Sequence, residues 1–93
     1  MHRFPQGSFD VRDVVKGPRD EAAGDGRHKG TARVRILWGG EQMWEMSVSA
    51  PWLADEGPAE FQRRVLQIAS RQAAELALAM NQAATTETAQ EPA

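Results

Sequence analysis

The sequence has no cysteine. This absence excludes disulfides, thiolate catalysis and zinc sites built on thiolates. Long apolar runs are absent as well: residues 1–9 hold no stretch of signal-peptide length. The longest helix-like segment carries Arg63, Arg64, Arg71 and Glu75, which makes it a poor candidate to cross a membrane. We therefore expect a cytoplasmic protein with no membrane partner.

A strong charge of one sign is also missing. The 93 residues carry a formal net charge of −2, and the net charges of residues 1–30, 31–56, 57–82 and 83–93 are +1, −2, +1 and −2. Tight non-specific binding to nucleic acid requires a concentrated basic surface. No segment has that composition.

Residues for catalysis or metal binding are few. His2 and His28 are the only histidines, and a metal site needs several converging ligands. Ser47 and Ser49 have no histidine close in sequence that would activate them as nucleophiles. The short glycine motifs do not match a phosphate-binding loop. We expect no enzyme activity, no cofactor and no metal site.

Alternating apolar and polar residues predict three antiparallel strands over residues 9–15, 31–38 and 43–50. Asp13 interrupts the first pattern. Glycines mark the turn between the other two strands, and a three-residue loop, 39–41, keeps the apolar residues of both strands on one face. That register predicts the core pairs Ile36–Trp44, Val34–Met46 and Ala32–Val48, and the outer pairs Arg35–Glu45, Arg33–Ser47 and Leu37–Met43.

Residues 57–60 predict the start of a helix, with Gly57 as cap, Pro58 in the first turn and Glu60 near the positive end of the dipole. Apolar residues spaced by three and four extend it to about Gln82. Such a helix is longer than the strands, and residues 73–80 are apolar on more than one face. We expect a second copy or a partner to cover this end.

These patterns define an α+β fold in which a three-stranded antiparallel sheet, in β-β-β-α order, packs on one long C-terminal helix. Residues 1–82 form a single small domain. Residues 16–30 are rich in glycine and charge and are predicted to be a mobile loop. Residues 83–93 are predicted to be a disordered acidic tail.

The sequence lacks recognisable catalytic and metal-binding motifs and predicts more apolar helix surface than the sheet can cover. Both features favour a non-enzymatic protein-interaction module. Its role would be that of an adaptor, an inhibitor or an assembly component, and small phage-encoded or bacterial accessory proteins share this profile. We expect a homodimer formed through the helix and a protein partner of unknown identity. Tryptophan is enriched at interface hot spots, but it also packs at the ends of small hydrophobic cores. The candidate partner-binding residues are Trp38, Trp52, Leu76, Leu78 and Met80.

The alternative is a nucleic-acid-binding protein that uses the outer face of the sheet, as some DNA-binding domains do. A small basic cluster carries this hypothesis: Arg27, Lys29, Arg33 and Arg35. Acidic residues between positions 20 and 25 offer another interpretation, in which the loop is merely charged and solvated.

Overall fold

The structure is a computed structural model that describes residues 2–90, except for the side chains of residue 43 and residues 87–90. A four-stranded antiparallel sheet in the order β1-β2-β3-β4 carries one helix. The α+β class is confirmed, but the predicted count of three strands is wrong. The elements are β1 (His2–Phe4), β2 (Gly7–Arg19), β3 (His28–Trp38), β4 (Glu41–Trp52) and α1 (Pro58–Gln90).

The additional strand is β1, which pairs with the start of β2. His2 lies opposite Phe9, and Phe4 lies opposite Gly7. Three residues are too few to show an alternating pattern, so this strand has no signal in the sequence. Its pairing places two more aromatic rings on the face of the sheet that carries Phe9.

The loop between β2 and β3 covers residues 20–27 and is shorter than the predicted 16–30, because both strands continue into the charged segment. Ladder hydrogen bonds use only backbone groups, so a strand can extend where its side chains are polar. β2 accommodates this extension with two irregularities in its register. At the first, Asp13 adopts a positive φ of 52°, which explains why it interrupts the alternation.

The β3–β4 hairpin has the predicted register along most of its length. The cross-strand pairs Ile36–Trp44, Val34–Met46 and Ala32–Val48 are confirmed, and so are the outer pairs Arg35–Glu45 and Arg33–Ser47. Among the first three pairs, both members are buried only in Ala32–Val48.

The turn itself differs from the predicted three-residue loop. Trp38 pairs with Glu41 and Leu37 pairs with Gln42, so the loop has two residues and Met43 is the extra residue of a bulge in β4. Gly39 and Gly40 have φ values of 65° and 87°. Two successive positive φ values make the tight turn whose twist matches the flanking strands. The bulge then restores the alternation.

The core lies between the first half of α1 and one end of the sheet. Phe61 stacks on Trp52 with ring centroids 4.4 Å apart, and both rings are buried. Gly30 lies directly beneath Phe61, where a methyl group would be 2.5 Å from the ring. The buried apolar residues are Ala32, Val34, Val48, Ala50, Trp52, Phe61, Val65 and Ala69.

Polar contacts hold the connection between β4 and α1. The Trp52 indole N–H donates to the Glu56 carbonyl oxygen at 2.7 Å. The Glu56 carboxylate accepts hydrogen bonds from the Leu53 backbone N–H and from the Arg64 guanidinium. Arg64 also donates to the Pro51 carbonyl oxygen at 2.6 Å. These contacts tie the first turns of the helix to the end of β4.

The helix begins as predicted and ends later than predicted. The Gly57 N–H donates to the Glu60 carboxylate at 3.1 Å, which caps the first turn. α1 then continues to Gln90, eight residues past Gln82, because the segment is rich in residues that tolerate a helix well. The segment predicted as a tail is therefore helical as far as residue 90. Residues 91–93 lie outside the described residues.

The close approach at Gly30 leads to a prediction about stability. We expect Gly30→Ala to lower the free energy of unfolding by about 1–3 kcal/mol, because the new methyl group would push Phe61 off the sheet. Gly57→Ala is the control for a new methyl group without a close contact, since the nearest atom is 4.0 Å away. It should cost less than Gly30→Ala, because it weakens only the helix cap. Urea denaturation followed by tryptophan fluorescence measures both changes. Equal effects of the two variants would contradict the packing argument.

Candidate functional site

An open apolar groove of about 600 Å³ lies between α1 and the hairpin end of the sheet. The sheet contributes apolar side chains from three strands, and one flank of the helix contributes the other wall. Arg63 is the only charged residue among those that line it. The lining residues are Phe9, Val34, Ile36, Trp44, Met46, Arg63, Leu66, Gln67, Ala69, Ser70 and Ala73.

The groove exists because one helix covers only part of the sheet. Four strands spaced by about 4.8 Å form a face roughly 19 Å wide, whereas a helix with its side chains is about 10 Å across. At the end where α1 begins, Val48 and Ala50 are buried beneath it. At the hairpin end, Phe9, Ile36 and Trp44 are on the same face but only half-buried. The two ends of the sheet therefore differ in coverage.

An aromatic cluster continues from the groove toward the hairpin turn. His2 stacks on Phe9 with ring centroids 4.8 Å apart, and Phe4 lies 6.4 Å from Phe9 and 5.3 Å from Trp38. Trp38 keeps 51% of its surface exposed. Trp38, a candidate partner-binding residue, is thus linked to the groove through Phe4 and Phe9.

The second half of α1 extends away from the described part of the sheet. Every residue from 74 to 86 is exposed. Leu76, Leu78 and Met80 keep 44%, 58% and 62% of their surface exposed. The expectation that the sheet would not reach this end of the helix agrees with these exposures.

Two tryptophans on the same face of the sheet, Trp52 and Trp44, have different environments. Trp52, a candidate binding residue, is only 5% exposed and belongs to the core, in agreement with the interpretation that it fills one end of a small core. Trp44, which the predicted register makes the core partner of Ile36, forms part of the groove wall. The alternation of β4 places Trp44 on the correct face but carries no information about which part of that face the helix covers.

The residues of the predicted basic cluster have acidic neighbours. Arg27 forms a two-pronged ion pair with Asp25, with its Nε 2.9 Å from Oδ2. Arg33 lies between Glu45 at 3.3 Å and Asp13 at 3.7 Å. Arg35 is opposite Glu45 in the register, but the ion pair of Glu45 is the diagonal one with Arg33. The outer face is therefore a surface of mixed charge.

Lys29 lies at the other end of β3 from Arg35. It lines a second, more polar cleft of about 400 Å³ together with Arg27 and His28. Asp20 contributes a carboxylate to the same cleft. The structure therefore places Arg27 and Lys29 together but does not bring them into one site with Arg33 and Arg35.

Among the described residues, no three side chains of the metal-binding types lie close enough together to hold an ion. No helix in the described part of the chain has the length and apolar character needed to cross a membrane. Comparisons with protein-family models, with curated proteins and with solved structures find no match. The geometry of the chain itself therefore carries the functional argument.

The Arg27–Asp25 ion pair leads to a prediction about titration. The hydrogen bonds from the Arg27 side chain stabilise the Asp25 carboxylate and lower its pKa to about 2. We expect Arg27→Gln to raise the pKa of Asp25 toward its ordinary value of 3.8. In the native protein the stabilising effect of the pair is present above the ordinary pKa and is lost as the pH falls toward 2.

Proton NMR titration of the Asp25 side chain measures this change. Arg35→Gln is the control, because Arg35 lies on a distant part of the sheet and should leave the pKa of Asp25 where it is. An unchanged pKa in Arg27→Gln would show that the pair does not form in solution.

Proposed function

We propose that this chain is a non-enzymatic protein-interaction module that forms a homodimer through α1. The observation that carries the proposal is the exposed second half of the helix, where Leu76, Leu78 and Met80 are each more than two-fifths exposed. The module would serve as an adaptor, an inhibitor or an assembly component, and a cytoplasmic location is part of the proposal.

Apolar surface that is exposed to water favours association. Burial of apolar surface contributes roughly 25 cal/mol per Å². Monomeric proteins rarely leave large contiguous apolar patches exposed, and such patches commonly mark interaction sites. Here the exposed helix surface lies next to a second unfilled apolar surface, the groove. Association would bury both at once.

The size of the domain adds a second argument. A chain of 93 residues buries a smaller fraction of its surface than a larger protein does, so its own core stabilises it modestly. The helix measures about 50 Å at 1.5 Å per residue, and only its first half contacts the core. A partner that binds the folded chain alone would raise its stability by mass action.

This proposal predicts the mass of the purified protein. Light scattering should give twice the chain mass of 10.2 kDa at high concentration, with a shift toward the monomer on dilution. The melting temperature should rise with protein concentration, because dimerisation couples to folding. A mass of 10.2 kDa at every concentration, together with a constant melting temperature, would contradict the homodimer.

The alternative, binding of nucleic acid through Arg27, Lys29, Arg33 and Arg35, has less support. Arg27 and Arg33 are each paired with carboxylates. A phosphate group would have to compete with these carboxylates, and the chain as a whole is acidic.

We therefore expect no retention of the protein on immobilised duplex DNA or RNA at low ionic strength. Retention that fell steeply with salt would indicate several phosphate contacts. That result would favour the alternative function, and Arg33→Glu would then be the variant that locates the contact surface.

A further inference from the structure

We infer that the apolar groove of each protomer receives the second half of the partner's α1, so that the two helices pack antiparallel about a two-fold axis near Ala73. This inference rests on the proposed homodimer and specifies its geometry. Its occupant is a second copy of this chain, and the groove and the exposed helix segment are the two halves of one self-complementary interface.

One apolar stripe runs continuously along α1. Leu66, Ala69 and Ala73 line the groove. Leu76 and Met80 continue the same stripe with spacings of three and four residues, which keeps them on one helix face. The stripe is covered at its start and exposed at its end. The exposed end of the stripe, at Leu76 and Met80, is therefore the part that a partner can still cover.

An antiparallel pair of helices centred on Ala73 places the two ends of the stripe, Leu66 and Met80, opposite each other. In an antiparallel pair centred there, Leu66 of one protomer faces Met80 of the partner subunit, and Ser70 faces the partner's Leu76. The segment from Leu66 to Ala73 spans about 10 Å of helix, as does the segment from Ala73 to Met80. The exposed segment is therefore as long as the stretch of α1 from Leu66 to Ala73, both of whose end residues line the groove.

The sheet provides the floor for the incoming helix. Phe9, Ile36 and Trp44 are half-buried and on the groove side of α1. The face of a four-stranded sheet has room for two helices side by side, and α1 occupies only one of these positions. The small side chains of Ala69 and Ala73 allow a second helix to approach closely.

The two halves of α1 carry opposite net charges. Residues 58–72 of α1 contain three arginines and one glutamate, a net charge of +2, whereas residues 73–90 contain two glutamates and no basic residue, a net charge of −2. An antiparallel pair brings the half of net positive charge of each helix against the half of net negative charge of the other, and Arg63 is the arginine of the first half that lines the groove. A parallel pair would bring like charges together and would align the two helix dipoles unfavourably.

Leu78 lies outside this interface. At 100° per residue it is on the face opposite Leu76 and Met80, close in direction to Arg71 and Glu75. Leu76 and Leu78 are thus two exposed leucines, two residues apart, of which the inferred interface uses only the first. They form a matched pair for mutagenesis.

The first arm of the test compares Leu76→Glu and Met80→Glu with Leu78→Glu. The first two place a charge in the apolar interface and should raise the dimer dissociation constant by roughly tenfold or more. Leu78→Glu should leave it within about twofold. Analytical ultracentrifugation measures the constants, and circular dichroism checks that each variant retains its helix.

The second arm uses the absence of cysteine from the chain. Under mild oxidation, Ala73→Cys should cross-link to itself, and a mixture of the Leu66→Cys and Met80→Cys variants should form a mixed dimer. Leu78→Cys should do neither, because a disulfide requires α-carbons within about 7 Å of each other.

The possible outcomes separate the inference from the proposed function. A wild-type protein that is monomeric at every concentration would overturn both. A wild-type dimer that persists in Leu76→Glu, dissociates in Leu78→Glu or fails to cross-link through Ala73→Cys would overturn the groove interface and leave the homodimer standing. Self-cross-linking of Met80→Cys in place of the mixed dimer would show a parallel pair and would also overturn it.

Discussion

The stacking of Phe61 on Trp52, above the bare backbone of Gly30, is the contact on which the rest of the structure depends. Phe61 is fully buried, and burial of such a ring contributes about 1.5–3 kcal/mol. It attaches the start of α1 to one end of the sheet. The hydrogen bonds of Glu56 and Arg64 then hold the connection that enters the helix.

Because the helix is attached at its start, coverage of the sheet declines toward the hairpin turn. Side chains near the attachment point, such as Val48 and Val65, are buried. Phe9 and Trp44, at the other end of the same face, are half-buried. Beyond the sheet, residues 74–86 are exposed. The groove and the exposed helix segment are therefore two consequences of one asymmetric attachment.

The two faces of the sheet carry side chains of different polarity. The outer face carries charges of both signs, and Arg33 lies between the carboxylates of Asp13 and Glu45. Such a surface interacts well with water and offers little net attraction to a charged partner. The inner face carries the aromatic residues and the groove. Of the two faces of the described sheet, the inner one is thus the face that leaves apolar surface open to solvent.

Local patterns in the sequence were sufficient for the parts of the fold that have a strict period. The alternation of β3 and β4 determined five of the six predicted cross-strand pairs, because a shift of one residue would turn every side chain to the wrong face. The start of α1 followed from Gly57 and Glu60 because a helix cap is formed by neighbours in sequence. The length of the helix likewise showed that its second half would extend past the sheet.

Contacts between residues distant in sequence determined the features of the fold that local sequence patterns do not encode. β1 and the extended ends of β2 and β3 form through backbone pairing, which leaves little trace in side-chain patterns. The burial of Trp52 and the partial exposure of Trp44 depend on which end of the sheet the helix contacts. Both tryptophans have strand positions that turn them toward the same face. Phe61 packs on Trp52 and over Gly30, which is distant from it in sequence. This attachment buries Trp52 in the core and leaves Trp44 in the wall of the groove.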